Sequence, residues 1–404
     1  MDIRDVPEGH LDRALDLAYL VFHERPGEER RKHHRELLLP CERVGAYEGE
    51  MLVGFVAAHR FTLSVPGGEL PCPGLTFVSV APTHRRRGVL SALLAELFRR
   101  CAGRGEPIAA LWASEDAIYG RFGFGPATQG VTVEIDSRRP LALRIDPDER
   151  PLRLIDPADA PAAVGPYFEA TRALRAGRTA RDEERWTGEW LADEDEDDDE
   201  LSPPRIVALG DPLAGYAVYR TKGENEETHA PGLVRVDELE ADTPAAAAAL
   251  WRYLASIDLT GTVRAWGRPL DDPLLLFAGD RDQVRVTGQF PALWVRLVDV
   301  REALEARSWA AAADLVLEVH DSRLPANSGR FRLTAGPGHA RYEPTEDPAE
   351  LSIGVQDLSA CYLGGTRVTD LVAAGLVEEH LPGAAAMLDT ALRTPRLPHT
   401  GDEF

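Results

Sequence analysis

The chain has 404 residues, 44% of them hydrophobic, which is too long for one ordinary core and long enough for two or three. Sixty-seven acidic against 45 basic residues give a formal net charge of -22, which repels nucleic acid and anionic membrane surfaces and favours cationic small molecules as partners. No apolar run approaches a membrane span and no basic leader with an apolar stretch opens the chain, so it reads as soluble and cytoplasmic, with no membrane partner.

Taken in order, the first unit starts with an edge strand near Ile3 and a helix over Leu11 to Phe22, then a charged helix or loop through Arg35. Val44 to Ala57 reads as a hairpin turned at Glu48-Gly49-Glu50. Phe77, Val78 and Val80 form a short buried strand, and Val89, Leu90, Leu93, Leu94, Leu97 and Phe98 recur on one face of a helix that starts near Gly88. Ile108 to Trp112 is a further buried strand, and Val131 to Ile135 alternates like the strand that closes this unit. A second unit repeats the outline. Leu152 to Pro157 precedes a helix, Ile206 to Val218 echoes the Val44 hairpin, and Val263 to Trp266 echoes Ile108 to Trp112. Within it, the eight acids Asp193 to Glu200 read as a solvated loop. The last part offers a helix through Arg307, strands at Leu315 to Val319, Arg330 to Leu333 and Ala340 to Tyr342, and helices around Gln356, Asp370 and Ala385, an α+β layer. The expected domains are 1–146, 147–294 and 295–404.

The segment joining the Phe77 strand to the Val89 helix carries Arg85, Arg86, Arg87 and Gly88. Free backbone N–H groups at a helix start, the positive end of its dipole and a glycine that admits close approach together suit a pyrophosphate. Three guanidinium groups add charge-assisted contacts. The second unit has Ala241-Asp242-Thr243-Pro244 at the matching place, a good helix start with neither arginine nor glycine.

Arg85-Arg86-Arg87-Gly88-Val89-Leu90 resembles the Arg/Gln-x-x-Gly-x-Gly/Ala signature of the GNAT superfamily, departing from it at Leu90. The run Val80 to Gly88, the segment Ala113 to Thr128 and the terminal Glu403-Phe404 resemble, more narrowly, the enhanced intracellular survival family of aminoglycoside acetyltransferases. The resemblance implies two tandem GNAT folds of mixed sheet and flanking helices, the second degenerate, followed by a sterol carrier protein-like α+β domain. It implies acetyl-CoA as acetyl donor and a homo-oligomer, a hexamer. Phe77, Val78, Ser79 and Val80 would line the cofactor, with backbone groups of Val78 and Val80 meeting the pantetheine arm and the amides of Arg86 to Val89 wrapping the pyrophosphate. Ser114 would sit beside the thioester, Glu24 and Glu403 would face the amine, and the Phe404 carboxylate would accept its proton.

Acetyl transfer also needs a proton for the departing thiolate, and Tyr119, with an ordinary pKa near 10, holds one at neutral pH. Tyr119 therefore reads as general acid, or else as a turn aromatic before Gly120, Gly123 and Gly125, whose spacing is not that of a dinucleotide fingerprint. Cys41, Cys72, Cys101 and Cys361 read as reduced thiols in or near cores, and the eleven histidines form no metal-binding pattern, so no metal is expected. The substrate expected is a primary amine of a cationic small molecule, aminoglycoside- or polyamine-like. Acylation of a protein lysine or N-terminus, and a non-catalytic CoA- or lipid-binding assembly role, stay open at this point.

Overall fold

A computed structural model describes residues 1–192, 200–224 and 231–404. The acidic run falls almost wholly outside these residues; its last member, Glu200, pairs with Lys222 at 2.5 Å. The chain divides into two compact units, Met1–Thr128 with Ala292–Pro398 and Asp402–Phe404, and Gln129–Pro291 with His399–Gly401.

The first unit opens with β1 (Asp2–Asp5), α1 (Leu11–Phe22), α2 (Glu28–Leu38), β2 (Glu42–Glu48), β3 (Met51–Val65) and β4 (Gly68–Val80). It continues with α3 (Val89–Arg104), β5 (Ile108–Trp112), α4 (Asp116–Tyr119) and β6 (Gly125–Pro126). The hairpin turns where expected, with Gly49 at φ +61 between β2 and β3. α3 lays Val89, Leu93, Leu94, Leu97, Phe98 and Cys101 on one face of the sheet, each leucine worth about 2 kcal/mol of burial. α1 lays Leu11, Ala14 and Leu15 on the opposite face against Phe55 and Ala57.

The second unit comprises β7 (Gln129–Asp136), β8 (Leu152–Ile155), α5 (Ala160–Arg172), α6 (Glu183–Arg185), β9 (Arg205–Leu209) and β10 (Gly215–Lys222). Then come β11 (Leu233–Ala241), α7 (Pro244–Leu254), β12 (Thr262–Pro269), α8 (Leu274–Phe277) and β13 (Val284–Pro291). Its seven strands run β13-β7-β12-β11-β10-β9-β8.

One expectation is corrected here. The Val131 to Ile135 strand does not close the first sheet: as part of β7 it pairs with β12 and β13 in the second. Its place is taken by β14 (Leu293–Leu297), so that the first sheet runs β1-β2-β3-β4-β5-β14-β6. β14 is buried on both faces, as suits a strand flanked on both sides, whereas the alternating β7 needs only one covered face and fits either sheet.

The remainder of the first unit is α9 (Val300–Ala306), β15 (Ala313–His320), β16 (Gly329–Gly336), β17 (His339–Pro344), β18 (Leu351–Gly354), α10 (Val355–Cys361), α11 (Val368–Ala373), β19 (Val377–Glu379) and α12 (Ala384–Leu392). Its sheet runs β17-β16-β15-β18-β19. A fully buried ion pair, Arg296 of β14 with Asp321 at 2.5 Å, ties this layer to the first sheet.

Candidate active site

The site begins where two neighbouring strands part. β4 and β5 pair in parallel through Gly74 with Ala110 and Leu75 with Leu111. Farther on, β4 stays with β3, Ser79 opposite Phe55 and Val80 opposite Gly54, while β5 stays with β14, Trp112 opposite Leu293. A register shift between Phe55 and Ala57 turns β4 at this point, and Phe77 takes φ +50, a conformation costing a bulky residue about 1–2 kcal/mol. Strain of this kind gathers at functional sites. Ser79 is 1% exposed and its hydroxyl has no partner among the described residues.

Past β4 the chain enters the arginine turn. Arg86 at φ +61 and Gly88 at φ +80 bend it back into α3, whose start has no side-chain cap and no acidic residue in its first turn. A Cβ at Gly88 would meet open space, so the backbone there is approachable from outside. Arg85 and Arg86 are exposed and, among the described residues, lack an ion-pair partner. Arg87 is different: its guanidinium lies 2.8 Å from Glu48, whose other oxygen is 3.2 Å from His84 Nε2. The hydrogen bond to His84 first, and Arg87 next to it, hold the Glu48 carboxyl below the usual carboxylate range. Arg87 thus braces the turn on β2, leaving Arg85 and Arg86 as its free cations. The open amides, bare glycine and unpaired guanidinium groups fit a diphosphate.

On the β5 side, Tyr119 ends α4 and packs among the α3-facing core, its ring edge-on to Phe124 at 6.1 Å. Burial, partly offset by a hydrogen bond to Ser114, pushes its pKa up to about 12. The hydroxyl therefore keeps its proton throughout the neutral range. Ser114 itself is exposed.

The C-terminus is ordered at the parting of the strands. Phe404 lies edge-on to Phe61, ring centres 4.8 Å apart, and 6.2 Å from His59. It covers Gly74, where an added Cβ would come within 2.8 Å of the Phe404 ring and 2.4 Å of Phe61. Trp112 Nε1 donates to the Asp402 carbonyl at 2.8 Å, and Asp402 is 2% exposed while Glu403 is exposed. Gly74 leaves room for both rings, Phe61 the nearer and Phe404 behind it.

Of the residues expected to face the amine, Glu24 is exposed just beyond α1, its N–H donating to the Tyr19 carbonyl at 3.0 Å. Its charge adds to the burial that, against Arg31, lifts the Tyr19 pKa to about 12. Tyr19 Oη sits 2.9 Å from His34 Nδ1, and the His34 ring meets Phe77 edge-on at 5.2 Å. Sequence reasoning placed Phe77 at the cofactor but missed its aromatic neighbours His34 and Tyr19, and also Phe61 and Trp112 beside the chain end. A glycine inside a strand, at Gly74, was the available signal of close approach. All four cysteines are free and buried, and among the described residues no three His, Cys, Asp or Glu gather as metal ligands. No helix among them is long and apolar enough to cross a membrane.

Comparison with known proteins agrees with this geometry. Residues 2–127 and 177–301 each match an acetyltransferase (GNAT) domain profile, and residues 300–401 match a sterol carrier protein domain. An uncharacterized N-acetyltransferase of Streptomyces avermitilis is 40% identical over 373 residues, 90% of each chain. N-acetyltransferase Eis of Mycobacterium tuberculosis is 36% identical over 378 residues, 90% of this chain and 88% of that one. The crystal structure of Eis1 from Mycobacterium abscessus superposes with a TM-score of 0.88 at 34% identity, covering 100% of both chains. The chain belongs to the Eis family of GNAT N-acetyltransferases, and is an acyltransferase built of two GNAT domains and a sterol carrier protein-like domain.

Proposed function

We propose that the first unit transfers acetyl from acetyl-CoA to a primary amine of a cationic small molecule, aminoglycoside- or polyamine-like. The observation that carries this reading is the seat of Phe404 over Gly74, next to the point beyond Leu75 where β4 and β5 part, in the unit whose α3 start is open. Arg85, Arg86 and the amides up to Val89 hold the diphosphate of the donor, while Val78 and Val80 meet its pantetheine arm in the gap between the strands. The net charge of -22 draws in a cation, and Glu24 and Glu403 are both exposed to meet one.

The amine must lose a proton as its nitrogen bonds the acetyl carbon. The Phe404 carboxylate takes it. An α-carboxyl group has a pKa near 3.5 in water and is a weak base there, so its use rests on placement, which the ring contact of Phe404 with Phe61 helps to fix. As the C–S bond breaks, Tyr119 gives its proton to the thiolate sulfur and Ser114 steadies the phenol. The second GNAT copy takes no part in the chemistry, and the sterol carrier-like domain delivers the tail.

A panel of free polyamines, aminoglycosides and lysine peptides, each with acetyl-CoA and a thiol-release readout, tests the substrate. Release with the free cationic amines is expected; release with lysine peptides alone contradicts the proposal. Deleting Phe404 should lower kcat on the order of a hundredfold with KM for acetyl-CoA kept. Full activity in a C-terminally tagged chain would remove the carboxylate from the mechanism.

A further inference from the structure

Tyr119 leads into a turn, Gly120 to Gly125, whose three glycines take no part in the proposed chemistry. Each is a place of close approach. A Cβ at Gly120 would come within 2.7 Å of the Gln356 side chain on α10, and one at Gly125 within 2.1 Å of the Gln356 carbonyl and 2.6 Å of the Ala360 nitrogen. At Gly123, which takes φ +86, it would lie 2.5 Å from Arg296 Nη1 and 2.7 Å from Cζ. The turn is thus laid directly against α10 and against the guanidinium of β14.

That guanidinium is itself held in place. Arg296 is 0% exposed, pairs with Asp321 at 2.5 Å and lies 5.5 Å from the Phe98 ring centre. Its Nε and Nη1 have no hydrogen-bond partner among the described residues. Burying a guanidinium with two unused donors costs free energy that an apolar side chain would not, so its presence points to placement rather than stability. The Asp321 carboxylate accepts from Asn327 Nδ2 at 2.9 Å and from the N–H groups of Arg323 and Leu324, both at 3.0 Å. From the same loop between β15 and β16, Arg323 reaches back to the turn. Its Nε donates to the Arg121 carbonyl at 3.2 Å, and its guanidinium lies 4.9 Å from the Phe122 ring centre. The loop therefore holds the turn twice, through Arg296 at Gly123 and through Arg323 at Arg121 and Phe122.

We propose that Arg296, Asp321 and Arg323 are positioning residues for Tyr119, which hold the Gly120 to Gly125 turn in one place and so fix where the phenol hydroxyl stands. Tyr119 meets the turn through its carbonyl, which accepts the Phe124 N–H at 3.4 Å, and through its ring, edge-on to Phe124. The inference rests on the reading of Tyr119 as proton donor, and all of these residues belong to the first unit. It gives the β15–β16 loop of the sterol carrier-like layer a task in the reaction. Proton transfer to a departing sulfur needs the donor within hydrogen-bond reach, so a turn free to shift lowers turnover and leaves binding of the acetyl donor alone.

The test measures kcat and KM for acetyl-CoA in the full chain carrying Arg323→Ala, Arg323→Lys or Arg296→Met, each made in the parent and in Tyr119→Phe. Arg323 is exposed, so its replacement leaves the core intact, and Arg323→Ala decides alone should Arg296→Met not fold. In the parent, Arg323→Ala and Arg296→Met should each lower kcat about fivefold or more with KM kept within about twofold. Arg323→Lys, which retains a donor for the Arg121 carbonyl, should stay close to the parent. In Tyr119→Phe, where the hydroxyl is already gone, Arg323→Ala and Arg296→Met should change kcat by no more than about twofold. Undiminished kcat for Arg323→Ala in the parent, or the same fold-loss in both backgrounds, overturns the positioning role while the proton-donor reading stands. Tyr119→Phe with the parent's kcat overturns the proton-donor reading and this inference with it, so the two failures are told apart.

Discussion

The two GNAT copies start the helix that follows their central strand in opposite ways. α3 begins at Gly88 with no side-chain cap, no acid in its first turn and, beside it, two arginines that lack an ion-pair partner among the described residues. α7 begins at Thr243, whose Oγ1 accepts the Ala246 N–H at 3.1 Å, and Pro244 has no N–H to offer. A helix start leaves four backbone donors free; the first copy leaves its own uncapped, whereas in the second Thr243 takes one and Pro244 lacks another. A parallel contrast follows the next strand. β5 leads to α4 ending on Tyr119, and β12 to α8 ending on Phe277, which has no proton to give. The two copies thus share a fold and differ in a handful of residues at these two places, which is where the proposed function separates them.

The comparison breaks most visibly at Tyr119. Tyr119→Phe gives the first copy the second copy's side chain at this place, and kcat should fall on the order of a hundredfold with KM for acetyl-CoA retained. Since burial pushes the Tyr119 pKa up to about 12, ionisation of the acid lies above the assay range. The parent's kcat should then show no falling limb below about pH 10, the ordinary tyrosine value. A limb near pH 8 in the parent would assign the proton to another group.

Removing the cations sharpens the contrast at the helix starts. Arg85→Ala with Arg86→Ala should raise KM for acetyl-CoA about tenfold or more while kcat at saturation changes little, since charge-assisted phosphate contacts are lost. Arg87→Ala should act differently, loosening the turn from Glu48, because its guanidinium is already committed there. The smallest effect belongs to the second copy. Thr243→Ala should cost about 1 kcal/mol of stability, read as a drop of a few degrees in Tm, and leave both kinetic constants alone.

Local signals carried much of this in the sequence. Helical spacing marked α1 and α3, the hairpin turn at Gly49 was legible, and the arginine-glycine run pointed to the open helix start. Strand partnership was not legible, because alternation at Val131, Val133 and Ile135 is satisfied by whichever sheet covers one face. Nor were the short β18 and β19, whose few residues carry little periodic signal. In the candidate site, the sequence singled out the turn, Tyr119 and the terminal Phe404, whereas the residues that seat the tail were not legible. Trp112, Phe61 and Gly74 lie far from Phe404 in sequence, and only folding brings them to it.

Calorimetric titration of the full chain with CoA tests the central claim most directly, since it counts open helix starts. The account predicts one site per chain, weakened about tenfold or more by Arg85→Ala with Arg86→Ala and untouched by Thr243→Ala. Two sites per chain, or full affinity in the arginine variant, would contradict it.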